Sequence, residues 1–321
     1  MRAVLLSDMS VPPQISDIPQ PEPAPGEVLI DVVACGLNFA DLLMAQGKYQ
    51  ERPPLPCVLG MEVAGIVSAL GAGVSHLSVG MRVAAFTGHG GLAEKVACPA
   101  ARCVILPENM SMTDAAGFLV AYGTSHLALC HRARLQRDET LLVLGAAGGV
   151  GLTAVEIGKA MGARVIAVAR GAEKLDIARR AGADHCLDSN GLDLRSALRD
   201  LGGVDIVYDA IGEPLATPAL RALRPEGRFL AIGFAGGSVP EFPANILLVK
   251  NLTVIGLYWG GYLKFAPEIL TRSLQDLISM YASGDLAPHV SHVVALDQFD
   301  EGLELLRERK STGKVVVQVG P

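Results

Sequence analysis

Three glycines, Gly145, Gly148 and Gly151, stand three apart in VLGAAGGVG, directly after the apolar run TLLVLG and before the helix-like GGVGLTAVEIGKAMG. At a strand-to-helix junction, glycine permits the positive dihedral of a tight turn, lets the main chain approach a pyrophosphate and allows the helix to pack on the sheet. The helix start, through Gly149 and Val150, then presents free N–H groups and the positive end of its dipole to phosphates. Ala146 stands where the strict G-x-G-x-x-G form has glycine. After the next strand-like run, an acid would bind the ribose diol of NAD, whereas a cation accommodates the 2′-phosphate of NADP. The segment reads AVARGAEKL, with Arg170 at the strand end, Lys174 one turn later and no acid before Glu173. NADPH is the expected cofactor. The alternative is that Arg170 and Lys174 form a solvated helix start, with Glu173 pairing to a neighbour.

Metal chemistry is poorly supplied. The six cysteines (Cys35, Cys57, Cys98, Cys103, Cys130, Cys186) contain no Cys-x-x-Cys pair, which is neither a zinc-ribbon spacing nor a disulfide framework. Reduced thiols packed in cores are expected. His289 and His292, with Asp297 nearby, and His89 in TGHGG read as solvated or core hydrogen-bonding histidines rather than ligands.

The elements that must position these residues fall into two textures. From residue 1 to about 115, short apolar runs such as EVLIDVVACG and GMRVAAF are broken by Gly and Pro, the punctuation of an all-β region. From about 118, strand-like TLLVLG, ARVIAVA, HCLD, VDIVYDAIG, GRFLAIG and LTVIGLYW alternate with helical segments. Continuous apolar strands of this kind are buried on both faces of a parallel sheet, so the expectation is α/β, a doubly wound six-stranded parallel sheet. After about residue 262 come the helices APEILTRSLQDLISMYASG and QFDEGLELLRERK, then the strand GKVVVQV. This tail is too small to fold alone. The predicted organisation is a catalytic domain of residues 1–117 completed by 262–321, around a dinucleotide-binding domain of residues 118–261.

Bulk composition agrees. A length of 321 residues suits two domains. A formal charge of −6 without a basic run gives no field to collect nucleic acid or anionic lipid. No stretch approaches the roughly 20 apolar residues of a membrane helix. The start MRAVLLSDMSVPPQ is interrupted by Asp8 and lacks the pattern of a signal peptide, so a cytoplasmic protein with small-molecule ligands is expected.

GLNFADLLMAQGKY, PPLPCVLGMEVAGIV, AAGFLVAYGTSHLAL, GAAGGVG, GVDIVYDAIG, LLVKNLTVIGLYWG and GKVVVQV occur in this order. Together they resemble the medium-chain dehydrogenase/reductase family, and within it the zinc-independent quinone oxidoreductase branch. The resemblance implies a GroES-like fold for the β-rich domain. It also implies three positions where zinc members carry Cys, His and Cys, and here these are Asn38, Met61 and Ala116. An amide, a thioether and a methyl cannot hold catalytic zinc. Met81 and Ser189 depart from the branch, which has Asp and often Tyr there.

The same resemblance implies that Asn38 and Thr124 lie at the nicotinamide, and that Phe234, Tyr258 and Trp259 wall the cleft. It adds Gly233 and Lys314 to the cofactor contacts. Tyr49 matches a tyrosine that related enoyl-thioester reductases present to substrate; it is either a hydrogen-bond or proton donor or a rim aromatic. Without a Lewis acid, the expected activity is hydride delivery from NADPH to a quinone or an α,β-unsaturated carbonyl compound. The alternatives are an enoyl-thioester reductase and a non-catalytic nucleotide-binding protein. The apolar run LTVIGLYW, last in the sheet, would be an aggregation hazard with a free edge, so an edge-to-edge homodimer is expected, as in related enzymes.

Overall fold

The computed structural model describes residues 1–320. The chain divides into two compact units: Ala121–Leu286, and Met1–Val120 together with the described residues from Ala287 onward.

The Ala121–Leu286 unit is built on six parallel strands: β1 (Thr140–Leu144), β2 (Arg164–Ala169), β3 (His185–Asp188), β4 (Val204–Asp209), β5 (Leu223–Ala231) and β6 (Thr253–Gly256). Their order across the sheet is β3-β2-β1-β4-β5-β6, so the direction of winding reverses beside β1 and leaves a crevice at the carboxyl ends of the strands. All five residues of β1 are buried, as a central strand covered by helices on both faces requires. Leu142, Leu144, Ile166, Val207 and Phe229 form one core cluster. Phe229 meets Phe242 at 5.0 Å and 66°, an edge-to-face contact. Strand β6 is an edge of this sheet.

The helix Pro267–Ser283 belongs to this unit, which corrects the reading of 262–321 as one segment returning to the first domain. Its amphipathic face buries Leu270, Ser273, Leu274 and Leu277, and Ser273 Oγ lies 2.8 Å from His126 Nδ1. Only the chain beyond Leu286 returns.

The other unit is organised by its longest strand, Glu27–Leu37, within a seven-stranded sheet. Gly36 lies opposite Glu62 of strand Glu62–Leu70 on one side and opposite Val316 of the C-terminal strand Lys314–Gln318 on the other. Three segments distant in sequence are thereby brought side by side at the end of Glu27–Leu37. No helix of the described residues is long and apolar enough to cross a membrane.

Phe229 is fully buried, so Phe229→Ala should cost about 3–5 kcal/mol through lost transfer energy and a residual cavity. Trp259, the sole tryptophan, lies in the same unit, and its fluorescence during urea unfolding measures the loss.

Candidate functional site

The strand register determines a buried polar cluster. Lys314 is 6% exposed and Glu62 is fully buried. The Lys314 ammonium donates to Leu37 O (2.8 Å), Asn38 Oδ1 (2.7 Å) and Glu62 Oε1 (2.9 Å), which uses all three of its N–H groups. The second carboxylate oxygen, Glu62 Oε2, accepts from Val120 N at 3.0 Å. Asn38 Nδ2 donates to Glu62 Oε1 (3.0 Å) and Gly36 O (3.3 Å). Both amide hydrogens of Asn38 are therefore committed, and Oδ1 accepts from Lys314. At this site Asn38 has no amide hydrogen left to donate. Lys314, expected among the cofactor contacts, has no N–H left to offer a phosphate.

Asn38 also begins the short helix Phe39–Ala45. The carboxylate of Asp41 reaches back to accept from Asn38 N at 2.8 Å, and its other oxygen accepts from Gly60 N at 3.3 Å. Asp41 is fully buried. Burial pushes its pKa up to about 7; the two N–H groups and the Lys314 charge oppose the rise, and the Glu62 charge adds to it. The Cys35 thiol is pushed well up by its own burial, with the Asp41 and Glu62 charges in support, so it is held as a neutral thiol. Tyr49 is half-buried in the loop after the helix that Asn38 begins.

Asn38, Met61 and Ala116 do not fit zinc. Met61 and Ala116 are buried and offer a thioether and a methyl, and the Asn38 amide is engaged with Glu62, Gly36 and Lys314. Among the described residues no group of three His, Cys, Asp or Glu is arranged to hold a metal ion.

In the Ala121–Leu286 unit, the glycine loop lies between β1 and the helix Gly149–Ala160. Gly145 has φ +75°, and a Cβ on Gly151 would lie 2.1 Å from Gly145 O, so the turn and the helix cross too closely for any side chain. At Gly148 a Cβ would meet only Gly145 O at 3.4 Å. No side chain caps the helix, whose first residues are Gly149, Val150 and Gly151. An open, uncapped helix start of this length fits a pyrophosphate. At the end of the neighbouring β2, Arg170 is exposed and Lys174 half-buried. Asp188, at the end of β3, accepts from Gly171 N and Asn190 N, and these bonds, with the Arg170 charge in support, hold its carboxyl below the usual range.

The remaining expected residues cluster at the carboxyl ends of the central strands. Gly233 N donates to Asp209 O, and a Cβ on Gly212 would lie 3.5 Å from Phe234. Phe234 and Tyr258 expose 41% and 37% of their surface. Trp259 packs on Gly123, where a Cβ would come within 2.6 Å of the indole nitrogen, one residue before buried Thr124. Ser125, the next residue, donates to Val150 O (2.8 Å) and lies 2.9 Å from Tyr208 Oη. The helix carrying Thr124 is thus tied to the start of the glycine-loop helix.

Sequence reasoning passed over two acids. Glu62 is the one charge in MEVAGIV, and that isolation is its signal; Asp209 shares the run VDIVYD with Asp205 and carries no such mark in the sequence. Asp209 is fully buried and accepts from Ile211 N (2.8 Å) and Gly212 N (2.9 Å) through Oδ1, while Oδ2 has no partner. Burial raises its pKa against those two N–H bonds.

A doubly wound sheet with this loop, joined to a β-rich unit carrying a buried ion pair, defines a dinucleotide-dependent oxidoreductase architecture. Residues 24–108 match the alcohol dehydrogenase GroES-like domain and residues 149–280 the zinc-binding dehydrogenase domain. The chain is 38% identical over 322 residues to quinone oxidoreductase-like protein 2 of Bos taurus, covering 99% of this chain and 92% of that protein. It is similar in structure to the quinone oxidoreductase of Thermus thermophilus, known also in complex with NADPH, with TM-score 0.87 and 34% identity over 99% of this chain and 100% of that one. The Escherichia coli quinone oxidoreductase complexed with NADPH gives TM-score 0.91 and 30% identity over 99% and 100%. The protein belongs to the medium-chain dehydrogenase/reductase superfamily and is an oxidoreductase of its quinone oxidoreductase-like, zinc-independent branch.

The raised pKa of Asp41 makes a signed prediction. The folded state holds this proton up to about pH 7, whereas the unfolded chain releases it near 3.9, so the group's contribution to stability falls as pH rises from about 4 through 7. Asp41→Asn cannot ionise and loses one acceptor, so it should be less stable than the parent at pH 5. That deficit should narrow by about 2 kcal/mol at pH 8, as read by urea unfolding of both proteins followed by circular dichroism.

Proposed function

We propose that the protein is an NADPH-dependent reductase that passes hydride to quinones or α,β-unsaturated carbonyl compounds without a metal. The observation that carries this reading is the donor set around Asn38, in which every strong polar group is satisfied internally and no ligand set for a Lewis acid remains. A site of this kind favours acceptors that are already electrophilic over simple alcohols and ketones.

NADPH, when bound, supplies hydride from its nicotinamide ring. The backbone N–H groups at Gly149, Val150 and Gly151 hold its pyrophosphate, and Arg170 with Lys174 receives the 2′-phosphate, with no acid at the end of β2 to favour a free ribose diol. Thr124, Gly233, Phe234, Tyr258 and Trp259 shape the nicotinamide end. Asn38 contributes a side-chain oxygen, Oδ1, held in place by Lys314. Because its two hydrogens are spent, the hydrogen bond or proton given to a reduced carbonyl oxygen falls to another group, and the Tyr49 phenol is the residue assigned that part.

Spectrophotometric oxidation of NADPH and NADH with a panel of quinones, enones and enoyl thioesters tests the reading. NADPH should bind better than NADH, and Arg170→Ala should weaken NADPH at least about tenfold while changing NADH little, given roughly 1.5–3 kcal/mol for a charge-assisted bond. Equal affinities for both cofactors in the parent protein would remove the cofactor assignment. Tyr49→Phe keeps the ring and removes the donor. On enones it should lower kcat about 100-fold or more, while NADPH binding and quinone turnover stay nearly intact, because a reduced quinone is a stable phenolate that water protonates. A loss below about threefold on every acceptor would assign Tyr49 to the rim and favour quinones as substrates.

A further inference from the structure

The amino ends of β4 and β5 lie at the opposite end of the sheet from the crevice, and three guanidinium groups meet there. A cavity of about 320 Å³ is lined by Arg195, Arg199, Gly202, Gly203, Arg221 and Ala222. Gly202 and Gly203 directly precede Val204, the first residue of β4, and Ala222 precedes Leu223, the first of β5. Arg195 and Arg199 are one helical turn apart on Leu194–Asp200 and so share a face. Arg221 lies in the last turn of Ala216–Ala222, the helix packed beside it. Both glycines have positive φ, and a Cβ at Gly203 would stand 3.2 Å from Ala222 O and 3.3 Å from Arg224 Cγ, so the bare backbone keeps this space open.

A cation in the last turn of a helix ordinarily serves the free carbonyls there. Here other donors already hold them. Lys250 Nζ donates to Arg221 O (2.9 Å) and Leu223 O, Arg224 Nε to Gly202 O (3.0 Å) and Arg164 Nη1 to Leu201 O (3.3 Å), while Gly202 N and Gly203 N donate to Arg199 O and Leu198 O. The nearby acids offer little more. Asp205 accepts from Arg224 and from Thr140 N, and Asp200 meets Arg199 only at 3.6 Å with both side chains largely exposed. Among the described residues, the side chains of Arg195 and Arg221 have no hydrogen-bond or ion-pair partner. Positive charge is therefore in surplus at this end of the sheet, in a chain whose formal charge is −6, and Lys250 registers it: burial, then the Arg195 charge, holds its pKa below the ordinary range. Guanidinium forks match phosphate oxygens bidentately, and the cavity is of small-molecule size, about 300 Å³ or more. We propose that Arg195, Arg199 and Arg221 form a second anion site, separate from the dinucleotide crevice, that takes a free ligand carrying a chain of two or three phosphates. Its cations come from separate segments, so no basic run marks it in the sequence. The proposal does not depend on which acceptor the enzyme reduces.

Calorimetric titration of the full-length protein, saturated with NADPH, with sodium tripolyphosphate tests it. Binding should saturate with Kd below about 1 mM at low salt and weaken as salt rises. The double variant Arg195→Ala/Arg221→Ala, whose two arginines are exposed and outside the core, should weaken it at least about tenfold, the worth of one charge-assisted bond. Arg170→Ala, titrated at an NADPH concentration that saturates it, should leave the affinity within about twofold, since distant sites act independently. Absence of saturable binding to the parent below about 5 mM would overturn the proposal. Equal affinity in the parent and the double variant, or a loss confined to Arg170→Ala, would do the same by moving the ligand to another place. Sodium sulfate binding as tightly as tripolyphosphate would mark an adventitious ion only. Sedimentation with phosphatidylglycerol vesicles through these arginines, without binding of tripolyphosphate, would assign the patch to a lipid surface and also overturn it.

Discussion

The buried Lys314–Glu62 pair, 2.9 Å apart with side chains 8% and 1% exposed, constrains everything around it. Two charges out of water demand partners for every lone pair and hydrogen, because an unmatched one costs several kcal/mol. That demand accounts for the conformation of Asn38, whose amide is turned to serve both members of the pair, and for glycine at 36 and 117, where a side chain would enter the space of Ala116, Glu62 or Lys314. It also ties the last strand of the chain to the end of Glu27–Leu37, since Lys314 reaches Leu37 O across the same register that pairs Val315 with Leu37. Ion pair, strand order and helix start are one construction.

Asp41 shows the other side of the same economy of charge. It lies within the field of Lys314 but makes no direct bond to it, and its two acceptor contacts are backbone N–H groups. Burial then outweighs those bonds and the proton is retained to about pH 7. In the same pocket the lysine counters a full carboxylate at Glu62, while Asp41 and Cys35 lean toward their neutral forms. Few net charges are left unbalanced in this interior, as the low dielectric requires.

The nucleotide-binding unit uses backbone groups in place of side-chain charges. Its central strand is apolar at every position after Thr140, and the groups proposed to meet the cofactor are the turn at Gly145 and the uncapped helix that follows. Dipoles and N–H groups fixed by a sheet need little reorganisation to meet an anion. The buried bonds among Ser125, Thr153, Tyr208 and Val150 O hold the helix of Thr124 against that helix start, so the loop and the residue assigned to the nicotinamide share one rigid base. Asp209 keeps one carboxylate oxygen unpartnered at the carboxyl end of β4.

The sequence by itself determined the doubly wound sheet, the glycine loop and the cation at the end of β2, because each is written in a contiguous stretch whose periodicity or turn chemistry is local. At the three positions where the family resemblance implies zinc ligands, Asn38, Met61 and Ala116, residue identity also decides donor chemistry before any folding. Only the tertiary structure decided that Lys314 meets Glu62 and Asn38, for those partners lie 252 and 276 residues away and meet only through the order of strands in the sheet. It alone decided that Asn38 is an acceptor without free hydrogens, that Asp41 is buried enough to hold its proton, and that the helix Pro267–Ser283 stays with the nucleotide-binding unit. Burial and the pairing of distant charges depend on which surfaces close over one another, and no local pattern of residues carries that information.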